Sequence, residues 1–236
     1  AMMQIRNEVA TMRYRSNGNW SCPLVIRVPV GGYIHGSLYH SQSIDGYFAH
    51  TPGLKVAYPS NAYDAKGLLK YACRCDDPVL FMEHKGIYRQ GFASSPEPNE
   101  DFLLPFGKAR IVQEGTDLTI VTWGAIVQKS VEAARNSNKS IEIIDIRTLN
   151  PLDIDTILNS IKKTNRVIVA HEDHLTSGFG AEISAQIADI GFKYLDAPVK
   201  RIASKDVHIA YSPNLENEIL VQTEWISDGI DEVLNF

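Results

Sequence analysis

Apolar positions along the first third of the chain set out short elements of two kinds. Met3, Ile5, Val9 and Met12 recur near helical spacing and predict a helix over 3–14. The polar run Arg13–Asn19 ends it. Leu24-Val25-Ile26-Arg27-Val28-Pro29-Val30 is a β-branched run and predicts a strand, which Gly31-Gly32 breaks. Residues 31–53 are rich in Gly, His and Ser and are expected to form a loop that approaches a ligand closely. Leu54–Tyr58 predicts a second strand, closed by Pro59, and Ser60 or Asn61 caps the helix that follows. Ala65, Leu68, Leu69 and Ala72 lie on one face of that helix. Pro78–Met82 is a nearly continuous apolar run, as expected of a parallel strand covered on both faces.

Between 84 and 107 the periodicity stops, and Gly86, Gly91, Pro96, Pro98, Pro105 and Gly107 punctuate the chain. This stretch reads as a linker between two units. Strands at 118–123, 141–146, 166–170 and 199–202 then alternate with helices. These start after Gly124, at Pro151 and at Gly178, and a final helix covers 222–235. Alternation of this kind predicts an α/β fold with mostly parallel sheets. The expected division is residues 1–90, a linker over 91–105, and residues 106–236.

Composition narrows the function classes. The 236 residues are 44% hydrophobic and 22% charged, ordinary for a globular protein. A net charge of −5 disfavours nucleic acid and anionic membranes as partners. No run approaches the ~18 apolar residues of a membrane span, and no signal peptide is visible. Cys22, Cys73 and Cys75 are too few for a disulfide framework, so a reducing compartment is expected. The opening Ala1-Met2-Met3 is not a natural start, and the chain is expected to be part of something longer.

Ligands of open parallel sheets bind beyond the carboxyl ends of strands. Three stretches occupy such places. Gly31–Ser43 brings glycines, hydroxyls, His35 and His40 just past an apolar strand, and a histidine there suits proton transfer. His171-Glu172-Asp173-His174 is a weak zinc candidate, and a polar turn at a strand end is the preferred reading. Cys73-Arg74-Cys75-Asp76-Asp77 ends a helix, where free carbonyls and carboxylates could hold a hard cation. The sequence has no P-loop and no Gly-x-Ser-x-Gly elbow, and Gly178-Phe179-Gly180 is a weak dinucleotide signal.

Several longer strings carry a family resemblance. These are Leu38-Tyr39-His40-Ser41-Gln42-Ser43, Phe48–Val56, Asp64–Leu69, Ile146-Arg147-Thr148-Leu149, Gly178–Ile183 and Leu195-Asp196-Ala197-Pro198. In order and spacing they resemble the beta subunit of thiamine-diphosphate-dependent 2-oxo-acid dehydrogenases along essentially the whole chain. His35–His40 looks more like the branched-chain (2-oxoisovalerate) type than the pyruvate type. The resemblance implies that residues 1–90 are the later part of a pyrimidine-binding domain and 106–236 a transketolase C-terminal domain.

It also implies an activity: oxidative decarboxylation of a 2-oxo acid, with acyl transfer to a lipoyl disulfide. The cofactor implied is thiamine diphosphate with magnesium, held mainly by an alpha subunit or the alpha half of a fused chain. His40 matches the catalytic histidine, with His35, Ser41 and Gln42 as its shell. Leu24, Ala72, Cys73, Cys75 and Asp77 match a potassium site, although Cys75 stands where the family usually has Asp and Asp77 where it has Asn.

The cofactor-binding Glu and aromatics of the family are expected upstream of residue 1, so the chain alone is expected to be inactive. Further implied partners are a second beta subunit about a twofold axis and the lipoyl-bearing dihydrolipoyl acyltransferase core. The implied setting is the bacterial cytoplasm, with the mitochondrial matrix as alternative. Pyruvate or acetoin dehydrogenase beta subunits are the nearest alternative readings. A dimerisation or docking module without catalysis of its own is another, and transketolase and deoxyxylulose-phosphate synthase are disfavoured.

Overall fold

The computed structural model describes residues 1–236. The predicted first helix is split. Helix α1 (Met2–Gln4) runs into a π-helical turn at Ile5–Val9, and α2 (Met12–Arg15) follows. Strand β1 (Val25–Val30) comes next, and the expected loop after it contains two short helices, α3 (Ser37–His40) and α4 (Asp45–Ala49). Strand β2 (Lys55–Ala57) leads into α5 (Ala62–Ala72), whose N-cap is Asn61, its side chain accepting the Asp64 N–H at 2.9 Å. Strand β3 (Val79–His84) precedes the linker, which holds only two 3₁₀ turns, at Lys85–Ile87 and Gly91–Ala93.

The second half comprises β4 (Arg110–Gln113), β5 (Leu118–Thr122), α6 (Ile126–Asn136), β6 (Ile141–Asp145) and β7 (Thr148–Asn150). These are followed by α7 (Ile154–Thr164), β8 (Val167–His174), α8 (Phe179–Ile190), β9 (Lys200–Ser204), α9 (Pro213–Ile219) and α10 (Thr223–Leu234). Two sheets result, ordered β1-β3-β2-β7 and β4-β6-β5-β8-β9. Their strands pair in parallel except β7 and β4, which are antiparallel and lie at sheet edges.

One strand was not predicted and one expectation is corrected. Strand β7 comes from the second half of the chain but pairs with β2 in the first sheet, Ala57 opposite Thr148, so the two units share a sheet. Residues 171–174 are strand rather than turn, because β8 continues alongside β9 as far as His174 opposite Ser204. Residues three apart on a strand point to opposite faces. His171 is therefore buried and His174 half-exposed, and they do not form a zinc pair.

The largest core cluster crosses the division too. Val30, Leu54, Val56, Tyr58, Leu80 and Met82 pack with Val121, Trp123, Ile144, Val169, Ile183 and Ile187. A second cluster lies under α6 and α10, and a small third one under α5. This joint core brings the carboxyl ends of β1 and β3 against those of β5 and β8.

Candidate functional site

Residues 31–43 leave the end of β1 and run along that junction. Gly31 has φ +86° and lies against the His84 ring. A Cβ on Gly31 would stand 2.3 Å from His84 Nε2. Gly31 N–H donates to the Gln42 carbonyl at 2.9 Å, closing the segment on itself. Gly32 N–H donates to Glu172 Oε1 at 2.6 Å, and the Ser43 hydroxyl donates to the same oxygen at 3.3 Å. One carboxylate from β8 thus holds both ends.

Its other oxygen pairs with His84 Nε2 at 2.5 Å. His84 Nδ1 accepts the Gly86 N–H at 3.1 Å, which leaves Nε2 as the proton-bearing nitrogen facing Glu172. Burial pushes the Glu172 carboxyl up, but His84, Gly32 and Ser43 outweigh it and hold the group below the usual carboxylate range.

His35 is the second anchored point. Its N–H donates to both oxygens of Glu216, at 3.2 and 3.3 Å, and its Nδ1 lies 2.7 Å from Oε2. Glu216 is fully buried. Tyr33 donates its hydroxyl to the Val221 carbonyl at 2.8 Å, under the Lys129 ammonium, which sits 4.4 Å from the ring centroid.

His40 itself ends the short helix α3 and is exposed. The three residues expected as its shell act on the backbone around it. The Ser41 hydroxyl, fully buried, accepts the Gly36 N–H at 3.0 Å; Gln42 donates to the Leu38 carbonyl at 3.0 Å; His35 reaches Glu216. Gly36 leaves no room for a side chain beside His40, since a Cβ there would lie 2.7 Å from His40 Cβ. The result is an exposed imidazole on a segment clamped from below.

No residue of 31–43 lines the cleft of about 390 Å³ on the first unit or the cleft of about 1030 Å³ that also includes Asn150 and Pro151. Nor does 31–43 contain a Lys or Arg. Its chemistry fits the reacting end of thiamine diphosphate, not the diphosphate. No group of three or more His, Cys, Asp or Glu side chains gathers as a metal site for magnesium.

The potassium candidates lie elsewhere, at the C-terminal end of α5 and the start of β3. The Leu24 carbonyl accepts the Val79 N–H at 2.8 Å, and the Ala72 carbonyl accepts the Cys75 N–H at 3.0 Å. Cys73 is exposed, and burial pushes the Cys75 thiol up, so that thiol stays neutral. Asp77 pairs with Arg13 and with Lys55 Nζ, the latter at 2.9 Å. Partial burial raises the Asp77 carboxyl, but these two cations outweigh it and hold it low. A neutral thiol is a poor partner for a hard ion, and Asp77 is already doubly paired, so these side chains do not fit potassium.

Sequence reasoning missed Glu172, Glu216 and His84. It also missed a buried group at the ends of β5 and β8. There Trp123 Nε1 donates to Asp45 Oδ2 at 2.6 Å and stacks on His171, with centroids 5.2 Å apart and planes 3° apart. Burial and then the neighbouring Asp173 push the Asp45 carboxyl well up.

The family profile of the transketolase pyrimidine binding domain matches residues 2–90, and that of the transketolase C-terminal domain matches residues 107–226. The 2-oxoisovalerate dehydrogenase subunit beta of Bacillus subtilis (strain 168) is 42% identical over all of this chain and 73% of its own length. The pyruvate dehydrogenase E1 component subunit beta of the same organism is 44% identical over 89% of this chain and 65% of its own length. The mitochondrial 2-oxoisovalerate dehydrogenase subunit beta of Dictyostelium discoideum is 47% identical over 87% of this chain and 56% of its own length. The chain thus spans between about half and three quarters of these relatives. A solved structure described as a split gene transketolase, inactive beta4 tetramer, superposes on the whole chain with a TM-score of 0.77 at 20% identity, which shows the fold alone.

Proposed function

Since the chain belongs to the family of 2-oxo-acid dehydrogenase beta subunits, we propose that it is the beta part of the decarboxylating component. Its substrate is a branched-chain 2-oxo acid, oxidised with acyl transfer to a lipoyl disulfide. The observation that carries this reading is the exposed imidazole of His40 on a segment held by two buried carboxylates.

Thiamine diphosphate, when bound, supplies the carbanion chemistry that releases carbon dioxide. This chain's part is narrower. His40 presents a ring that takes or gives a proton at an oxygen or sulfur of the reacting groups. His35, Ser41 and Gln42 keep the backbone around it in place. Glu172 and the Gly32 N–H hold the segment against the second unit. Magnesium and the diphosphate fall to residues of an alpha subunit or alpha half, because 31–43 offers them no ligands.

The partners that follow are that alpha part, a second beta subunit, and a lipoyl-bearing acyltransferase core. The setting is the cytoplasm of a bacterium. No helix is long and apolar enough to cross a membrane. A pyruvate-type substrate is the second reading, favoured by the 44% identity to a pyruvate dehydrogenase beta subunit.

Replacing His40 by Ala in the complete enzyme tests the proposal. Decarboxylation, followed with an artificial electron acceptor, is expected to survive better than lipoyl acylation, which falls about a hundredfold or more. Equal loss of both steps would reject the role of His40. Comparing kcat/KM for 3-methyl-2-oxobutanoate and pyruvate decides between the substrates.

A further inference from the structure

The segment that carries His40 has an unusual backbone. Gly31, Tyr33, His35 and Ser37 have φ of +86°, +60°, +55° and +57°, so alternate residues are left-handed. Three of the four carry side chains, at a cost of about 1 kcal/mol or more each. Such a stretch persists only where its surroundings over-determine it. Alternation between left- and right-handed residues also turns N–H groups into a concavity that favours anions.

Here the anions are the protein's own. Glu172 takes the Gly32 N–H and Glu216 takes the His35 N–H, while the Ser41 hydroxyl takes the Gly36 N–H. Both carboxylates are buried, and both come from the second unit. They differ in what else holds them. Glu172 is also hydrogen-bonded to the buried His84, whereas Glu216 faces the half-exposed His35 imidazole. Glu216 sits on α9, the seven-residue helix that also supplies the exposed Leu215, and neither has any apparent reason to be near His40 in sequence.

We propose that Glu216, with Glu172, is a positioning residue for His40: the two carboxylates fix the strained 31–37 backbone from which α3 projects the imidazole. This rests on the reading of His40 given above. Neither carboxylate is hydrogen-bonded to the His40 ring. They act by making one geometry of the segment cheaper than the relaxed alternatives, which would otherwise spread the ring over several positions.

The experiment is hydrogen exchange, followed by mass spectrometry on the complete protein. Glu216→Ala is expected to speed exchange over residues 33–41 about tenfold, with the amides of β5 and β8 unchanged. Glu216→Gln keeps an acceptor oxygen for the His35 N–H and is expected to restore most of the protection. Unchanged exchange over 33–41 in both variants overturns the proposal. If Glu216→Ala does not fold, shown by lost protection in β5 and β8, the decision passes to His35→Asn. That residue tolerates a left-handed backbone but removes the imidazole contact, and exchange over 33–41 is expected to rise about threefold; no rise overturns the proposal.

A kinetic arm reads the consequence. Glu216→Ala is expected to lower kcat for acyl transfer while leaving KM for the 2-oxo acid unchanged, with recovery in Glu216→Gln. Faster exchange with unchanged kcat, in an enzyme that His40→Ala does impair, overturns positioning. Where His40→Ala impairs nothing, the reading of His40 fails, and the exchange data alone decide whether Glu216 holds the segment.

Discussion

Both ring nitrogens of His171 are buried without a hydrogen-bond partner. Glycines 178 and 180 leave just enough room for the ring, since a Cβ at either would come within 2.6 Å of it. Burial is the main reason its pKa falls from 6.5 to about 4. Between those values the unfolded chain binds the proton that the folded chain refuses, so folding stability rises with pH there. The contribution is complete above about pH 6.5 and is lost as pH falls toward 4, up to roughly 3 kcal/mol for this shift. His171→Phe keeps the stack on Trp123 and removes the proton site. Urea unfolding at pH 7.5 and 5.0 is expected to show a smaller loss on acidification in the variant than in the wild type. An equal loss would mean that His171 is already protonated in the fold. The residues that sequence reading missed share one property with His171, in that their partners are remote. Glu172 meets Gly32 and His84 from 140 and 88 positions away, and nothing local marks a carboxylate in the polar string 171–174 as the anchor of another segment. His40 was singled out because it stands inside a specific string. Its exposure and clamped backbone belong to the fold.

Helices of eleven or twelve residues were legible because one face repeats, and most strands because they are nearly continuous apolar runs. Helices α5, α6, α7, α8 and α10 and strands β1, β3, β5 and β6 all fall where apolar spacing predicts them. Helices α3 and α4 and strands β4 and β7 were not legible. They have three to five residues each and no long continuous apolar run, and are set by what they pack against. Strand β7 exists because Thr148 and Asn150 pair with β2 across the sheet. Caps carry more local information. Asp153 caps α7 by accepting the Thr156 N–H at 3.2 Å, and its other oxygen accepts the Ala109 N–H at 2.9 Å, tying the approach to β4 to the helix start. Partial burial raises its carboxyl, but these donors outweigh it and hold it below the usual range. Asp153→Ala is expected to cost about 1–2 kcal/mol in urea unfolding at pH 7. The deficit shrinks as acid protonates the wild-type carboxylate, because the stabilisation of a depressed carboxylate is lost as pH falls. A deficit that stays constant down to pH 3 would show that the cap does not act through its charge.

At the scale of the whole molecule, the two units that the family profiles separate are joined by their interiors. The 19-residue core cluster draws on both, and β7 crosses into the first sheet. A charged latch closes the same seam. Arg147, itself left-handed at φ +59°, gives Asp64 a bidentate pair at 3.0 and 2.8 Å, and its N–H donates to Asp145 at 3.0 Å. Asp64 is fully buried, so deleting its partner leaves a carboxylate in the core rather than merely removing a pair. Arg110 stands 3.6 Å from the same oxygen and offsets part of that. Arg147→Ala is therefore expected to cost about 3 kcal/mol, at the low end for breaking a buried pair. Because the core is common, that loss should lower a single unfolding transition, read identically by the fluorescence of Trp20, ahead of β1, and of Trp123, after β5, in single-tryptophan variants. Two separated transitions would mean that the seam is an ordinary domain interface. In that case the clamp of Glu172 and Glu216 on residues 31–37 would open whenever the units part, and the geometry of His40 would depend on the latch as much as on its own segment.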